Sequence, residues 1–202
     1  MPLYFINFSS NLYLNLLLFF AFSSIGVYGI IFGGWASNSK YAFLGALRSS
    51  AQMISYEIVL GTIFLCISFS VGSLNFLDII YAQTIIWFIF PFFLLFLLFL
   101  ITILAETNRI PFDLPEAESE LVAGYNIEYS AIAFALFFLA EYSTMILFSV
   151  LGALLFFGGN LPFLNFFGLF LYIIKILVFT IFFVLIRGTL PRLRYDQLLF
   201  NN

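Results

Sequence analysis

Residues 163–186 read FLNFFGLFLYIIKILVFTIFFVLI, and this stretch decides which kind of fold the chain can adopt. It contains one charged side chain, Lys175, in 24 residues. The hydrocarbon core of a bilayer is about 30 Å thick, so roughly 20 apolar residues of helix are needed to cross it. The stretch is too long for a buried strand and too uniformly apolar for a helix on the surface of a soluble protein. It therefore predicts a transmembrane helix.

Four more runs of the same kind precede it, and the composition of the whole chain agrees with them. Of 202 residues, 64% are hydrophobic and only 17 are charged, 7 basic and 10 acidic. A soluble domain is about half apolar and about a quarter charged. We therefore expect a single all-α membrane domain, residues 1–202, and exclude a soluble enzyme, a disordered chain and a nucleic-acid-binding domain. The five predicted spans are residues 12–35, 50–71, 84–105, 129–157 and 163–186.

The residue types that bind metals and cofactors are almost missing from the chain. It has no histidine and one cysteine, Cys66, so it cannot build a haem, copper, zinc or iron–sulfur site from its own side chains. No glycine-rich dinucleotide or triphosphate motif occurs. We expect the chain to bind no metal and no cofactor, and any redox chemistry to belong to a neighbouring subunit.

The basic residues predict how the spans are oriented. Five spans alternate sides, so the segments that follow spans one, three and five lie on one face, here called the charged face. Six of the seven basic residues fall in those segments. By the positive-inside rule, this face is the bacterial cytoplasm or the mitochondrial matrix. The 31 phenylalanines suggest a T-rich, organelle-encoded sequence. The basic tail is residues 187–202.

Two features within the spans predict local geometry. Pro91 lies in the third span and should kink that helix, because proline removes a hydrogen bond within the helix. Gly29 and Gly33 form a G-x-x-x-G pair in the first span, which favours close approach of another helix.

Three charged side chains fall inside the spans, where a charge is costly and indicates a function. Glu141 is 12 residues from Tyr129, about 18 Å from the charged face, and Lys175 is 11 residues from Ile186, about 17 Å from it. Because the two spans are consecutive and antiparallel, we predict an interaction between Glu141 and Lys175. It would belong to a proton-transfer path that also includes Glu57, or it would be a fixed pair that locks two helices.

The loop after the third span holds seven of the 17 charges. Residues 106–128 read ETNRIPFDLPEAESELVAGYNIE, with four carboxylates between Asp113 and Glu120 and no cation among them. Such a cluster either takes up and releases protons when a nearby charge changes, or it is a solvated acidic loop that only sets topology. The spacing alone does not choose between these alternatives.

This acidic loop resembles the signature loop of subunit 1 of NADH:ubiquinone oxidoreductase, respiratory complex I. Residues 34–57, GWASNSKYAFLGALRSSAQMISYE, and residues 187–197, RGTLPRLRYDQ, resemble the same family. The resemblance implies that these segments roof a quinone chamber, where the quinone headgroup meets an iron–sulfur cluster of a neighbouring subunit. By the same resemblance, the candidate residues of the chamber and its loop are Arg48, Arg109, Phe112, Asp113, Glu116, Glu118, Glu120, Arg187, Arg192 and Arg194. The proton-path candidates are Glu57, Glu106, Glu128, Glu141 and Lys175.

The resemblance also implies partners and a location. Ubiquinone would be the substrate, while iron–sulfur clusters, FMN and NADH would be bound by partner subunits. The partners would be the peripheral subunits of the quinone module, neighbouring membrane-arm subunits, lipid and quinone, in the mitochondrial inner membrane. Members of the family have about eight spans. We therefore expect either a fragmented subunit whose missing helices are separate chains, or a truncated version of one longer chain.

Three other functions remain open. A related membrane subunit of a proton-translocating hydrogenase would share the helical core but lack a quinone. A stand-alone ion or solute transporter would show inverted repeats or paired broken helices, and the sequence shows neither. A purely structural anchor is disfavoured by the three charges inside the spans.

Overall fold

The computed structural model describes residues 13–113, 129–162 and 166–191, and all regular structure in these ranges is helical. This agrees with the predicted all-α membrane protein. The helices are α1 (Asn15–Ala36), α2 (Lys40–Val71), α3 (Phe76–Ala82), α4 (Phe93–Glu106), α5 (Ala131–Phe157) and α6 (Phe166–Thr189).

Four helices in the described ranges, α1, α2, α5 and α6, are long and apolar enough to cross a membrane. The bounds of α1, α5 and α6 lie within three residues of the predicted first, fourth and fifth spans. The helix α2 begins at Lys40, ten residues before the predicted second span. The Ser39 hydroxyl accepts a hydrogen bond from the backbone N–H of Ala42 and caps this earlier start. Lys40 and Arg48 therefore lie on α2 and not in a loop.

The predicted third span is interrupted. Its helical part, α4, has 14 residues, about 21 Å, and residues 83–92 before it form turns. The expected kink at Pro91 was therefore wrong, because the helix begins only after the proline. The pyrrolidine ring clashes with the carbonyl of the preceding turn and has no N–H to donate, so a regular helix through residue 91 is disfavoured.

The interrupted segment, residues 83–92, finds its hydrogen bonds elsewhere in the protein. Gln83 is 1% exposed. Its amide group donates to the carbonyls of Ile79 and Leu154 and accepts from the N–H of Phe88. The N–H of Ile89 donates to the carbonyl of Phe156, at 3.2 Å. Backbone without helical bonds is tolerated at membrane depth only when protein satisfies it, and here the end of α5 does so.

Phenylalanine rings form the core where α2, α4, α5 and α6 meet. The ring centroids of Phe99 and Phe156 are 5.1 Å apart, and those of Phe64 and Phe99 are 6.4 Å apart. Gly152 allows α5 to pack against these rings. A Cβ atom placed there would lie 2.9 Å from ring carbons of both Phe99 and Phe179.

Substituting Gly152→Ala should therefore destabilise the helix bundle. The methyl group overpacks a closed site from two sides, and overpacking costs about 1–3 kcal/mol. The thermal midpoint of the membrane-extracted protein should fall. Gly188→Ala is the control, because a Cβ at that position contacts nothing within 4 Å. Equal midpoints for the two variants would contradict the packing described here.

Candidate functional site

The chain turns sharply after α4, and this turn, residues 106–113, carries most of the site. The Thr107 hydroxyl donates to the carbonyl of Ile103, and the N–H of Arg109 donates to the carbonyl of Leu104, which ends the helix. Asn108 has a φ of 48° and reverses the chain direction. We call residues 106–113 the α4 turn. Its predicted site residues are buried: Glu106 is 4%, Asp113 5% and Phe112 9% exposed.

Glu57 on α2 is the second carboxylate of the site. The hydroxyl of Ser24 on α1 donates a hydrogen bond to the carboxylate of Glu57. Glu57 is also close enough to Glu106 for their charges to interact. The structure thus brings together two of the predicted proton-path residues, from α2 and from the end of α4.

Arg109 connects the α4 turn to the third carboxylate. A nitrogen of its guanidinium group lies 3.6 Å from a carboxylate oxygen of Glu141 on α5, with side chains that are 15% and 22% exposed. The guanidinium also lies over the ring of Tyr142, 4.7 Å from the centroid. An ion pair held next to an aromatic face and away from solvent is stronger than a pair on the surface.

The predicted interaction between Glu141 and Lys175 was wrong. The ammonium group of Lys175 donates to the carbonyls of Phe157, Gly159 and Leu161, at 2.7, 2.9 and 2.8 Å. Phe157 is the last residue of α5, and Gly159 and Leu161 lie in the turn that follows it. Phe157 is 16 residues from Glu141, about 24 Å along the helix. Lys175 also lies over the ring of Trp87, at 5.0 Å.

The direction of the side chains explains this error. A Cα–Cβ bond in a helix tilts toward the helix N-terminus. For Glu141 that direction is toward the charged face, where α5 begins, whereas for Lys175 it is toward the opposite face, where α6 begins. Two residues at equal backbone depth therefore direct their charged groups apart.

A cavity of about 390 Å³ is lined by two of these three carboxylates, Glu106 and Glu141. It lies between α1, the α4 turn and α5, with walls that are mainly apolar. A few convergent polar groups in an apolar pocket are typical of a binding site. In the described part of the chain, one buried oxygen of Glu106 and that of Asn108 lack a hydrogen-bond partner. The polar groups that line the cavity are Ser23, Glu106, Thr107, Asn108, Glu141 and Thr144.

The glycine pair of α1 has two different roles. A Cβ at Gly33 would lie 3.2 Å from the ring of Phe137 on α5, and the hydroxyl of Tyr129 donates to the Gly33 carbonyl at 2.6 Å. The predicted close approach is therefore confirmed at Gly33. At Gly29 nothing lies within 4 Å, and this residue lines the cavity.

Two other predicted residues lie on the helices. Arg48 is half-buried on α2, and Arg187 is exposed in the last turn of α6. Six predicted residues lie outside the described ranges: Glu116, Glu118, Glu120, Glu128, Arg192 and Arg194.

Sequence reasoning missed two residues of the site. Ser24 is a polar side chain inside a long apolar run, and this contrast was the available signal for it. Tyr142 follows Glu141 directly in the sequence, but nothing in the sequence places it beside Arg109.

Comparisons with known proteins show which family the chain belongs to. Residues 1–201 match the family model described as NADH dehydrogenase. The NADH-ubiquinone oxidoreductase chain 1 of Chondrus crispus is 57% identical over 201 residues, covering 94% of this chain and 60% of the relative. The corresponding protein of Triticum aestivum is 55% identical over 201 residues, with the same coverage. An NADH-quinone oxidoreductase subunit of Paramagnetospirillum magneticum is 54% identical over 195 residues, covering 94% of this chain and 57% of the relative.

The chain thus spans somewhat less than two thirds of the length of these relatives. The match covers all six helices and both sides of the cavity. This multi-pass membrane protein belongs to the NADH dehydrogenase family.

Proposed function

We propose that this chain is the core membrane subunit of a proton-pumping NADH:ubiquinone oxidoreductase, in which it forms part of the quinone chamber and couples quinone reduction to proton transfer. The observation that carries the proposal is the cavity that unites Glu106 and Glu141 behind the α4 turn. The relatives support it, because their names refer to quinone oxidoreductases.

The chemistry to be served is the two-electron reduction of a quinone, which takes up two protons as the quinol forms. Electrons would come from an iron–sulfur cluster of a partner subunit, and FMN and NADH would also be bound by partners. In this chain, Arg109 would stabilise negative charge that develops on the quinone. Because Arg109 is paired with Glu141, a change of charge on the quinone would alter how strongly this carboxylate holds a proton.

Protons would move along the carboxylates of the same cluster. The Ser24 hydroxyl is hydrogen-bonded to Glu57, and the charge of Glu57 interacts with that of Glu106. Glu106 lines the cavity. The unpaired oxygen of Glu106 can accept a hydrogen bond from water or from a protonated neighbour. Glu128 would extend the path through the acidic loop. We leave Lys175 out of the path, because its ammonium group is bonded to three carbonyls at the other end of α5.

The acidic loop and the basic tail would complete the chamber. Their position in the sequence, directly after the α4 turn and α6, supports a location on the predicted charged face. The chamber residues proposed from the resemblance are Arg48, Phe112, Asp113, Glu116, Glu118, Glu120, Arg187, Arg192 and Arg194.

The surroundings of the chain follow from the same proposal. Its partners would be peripheral quinone-module subunits, neighbouring membrane-arm subunits and lipid, in the mitochondrial inner membrane. The algal and plant chain 1 relatives and the phenylalanine-rich composition favour an organelle over a bacterium. The names of the relatives do not support a hydrogenase subunit or a stand-alone transporter.

Photolabelling tests the chamber directly. A quinone photoprobe added to native membranes should label this chain at or next to residues 106–113, and a quinone-site inhibitor should protect it. Three residues of this turn, Glu106, Thr107 and Asn108, line the cavity. Labelling confined to other chains, with no protection of residues 106–128, would count against the chamber.

The variant Glu106→Gln tests the catalytic part of the proposal. It keeps the size of the side chain but cannot exchange a proton, so the quinone reductase rate per assembled complex should fall at least tenfold. Electron transfer from NADH to a water-soluble acceptor that bypasses the quinone is the internal control and should be unchanged. A wild-type quinone reductase rate in the assembled variant would exclude a role for Glu106 in proton transfer.

A further inference from the structure

One buried glutamine holds both ends of the α4 turn. The amide nitrogen of Gln52 on α2 donates to the carbonyl of Ala105 at 2.9 Å and to the carbonyl of Phe112 at 3.0 Å. Gln52 is 5% exposed. Its two acceptors are 7 residues apart in the sequence and directly precede Glu106 and Asp113.

The chemistry of this contact requires a neutral side chain with two donors. Two carbonyl oxygens converge on one point, and only an –NH₂ group offers a hydrogen to each of them without bringing a charge. A carboxylate at the same place would face two oxygens and be repelled by both. An alkyl side chain would leave two buried carbonyls without this donor, which is costly in an apolar surrounding.

The position of the contact couples it to the carboxylates. Gln52 and Glu57 lie on α2 about one and a half turns apart. The ring of Phe112 also packs against Tyr56 of α2, with centroids 5.8 Å apart. The base of the turn is thus fixed to the helix that carries Glu57, which sets the spacing between Glu57 and Glu106.

We propose that Gln52 is a positioning residue, which holds the α4 turn closed against α2 so that Glu106 and Arg109 stay in register with Glu57 and Glu141. This inference rests on the proposed function. Gln52 itself would not touch quinone and would not carry a proton.

The test compares Gln52→Leu with Gln52→Glu in the assembled complex, in membranes. Gln52→Leu loses both donors, and we expect the quinone reductase kcat to fall at least fivefold. Gln52→Glu should be equally impaired at high pH but recover partly as the pH falls, because a protonated carboxyl group regains one donor. The titratable and charged groups on the elements around residue 52 are the same in both variants: Arg48, Tyr56, Glu57, Glu106, Arg109, Asp113 and Glu141. A pH-dependent recovery in Gln52→Glu alone therefore reports on residue 52.

The other buried glutamine provides a matched control. Gln83 also donates to two carbonyls through its amide nitrogen, but it lies at the opposite end of the bundle. Gln83→Leu should lower the amount of assembled complex while leaving the rate per complex and its pH profile unchanged. The proposal would be overturned by a wild-type kcat and pH profile in both Gln52 variants, or by the same altered profile in Gln83→Leu.

A shorter side chain keeps the proposal testable if Leu and Glu at position 52 prevent assembly. Gln52→Asn retains the amide but is one methylene shorter, so it should assemble and be slower. A wild-type rate in this variant, or failure of all three variants to assemble, would leave Gln52 without a positioning role. If Glu106→Gln and Arg109→Met are also fully active, the proposed function fails as well. If those two variants are impaired and the Gln52 variants are not, only this inference fails.

Discussion

Lys175→Met should prevent most of the complex from accumulating, with at least a tenfold loss of assembled enzyme in the membrane. The ammonium group satisfies three carbonyls at the end of α5, and hydrogen bonds to a charged group contribute about 1.5–3 kcal/mol each. Methionine is of similar length but donates nothing, so we expect a loss of at least about 3 kcal/mol. Native gel electrophoresis of detergent-extracted membranes measures the assembled fraction.

Lys175→Arg provides the comparison, because it keeps the charge and several donors. It should assemble to a larger extent than Lys175→Met, although its planar fork fits three convergent carbonyls less well. If Lys175→Met assembles normally but pumps fewer protons per electron, Lys175 belongs to the proton path after all and its role as a helix cap is secondary.

Glu141→Gln should assemble and lose at least 90% of its quinone reductase activity. The substitution removes the charge that faces Arg109 across 3.6 Å and leaves a buried guanidinium group without this ionic partner, while the apolar packing around α5 is retained. The quinone reductase rate and the proton-to-electron ratio of reconstituted vesicles are the measurements.

Asp78→Asn is the matched control for Glu141→Gln. Asp78 lies in the first turn of α3, on the face opposite the cavity. Neutralising it should leave the rate within about a factor of two. Full quinone reduction and full pumping in assembled Glu141→Gln would remove Glu141 from the coupling mechanism, and failure of assembly would favour a structural pair with Arg109.

The long helices could be predicted from hydropathy, whereas the interruption before α4 could not. Residues 84–92 are as apolar as the helices around them, so no window of composition marks them as non-helical. What allows the interruption is a set of partners far along the chain, such as the carbonyl of Leu154, which is 71 residues from Gln83. Long-range partners of this kind do not leave a local pattern.

The sequence predicted which charged residues belong to the site, but only partly which of them contact each other. The prediction paired Glu141 with Lys175 because their Cα atoms lie at equal depth in the membrane. It was wrong because it ignored the direction of the side chains. The pair that forms, Arg109 with Glu141, depends on how early α4 ends and on how the α4 turn is folded. The turn brings Arg109 next to α5, whereas a simple surface loop would have left it in solvent.

The end of α5 also determines the order in which the protein can mature. Its last carbonyls are satisfied by Gln83, by Ile89 and by Lys175. Two of these partners are synthesised before α5, but Lys175 emerges from the ribosome only after it. Until α6 is inserted, the carbonyls of Phe157, Gly159 and Leu161 lack the donor that Lys175 supplies. The bilayer should therefore receive α5 and α6 as one hairpin, and ribosome stalling between them should leave a protease-sensitive intermediate.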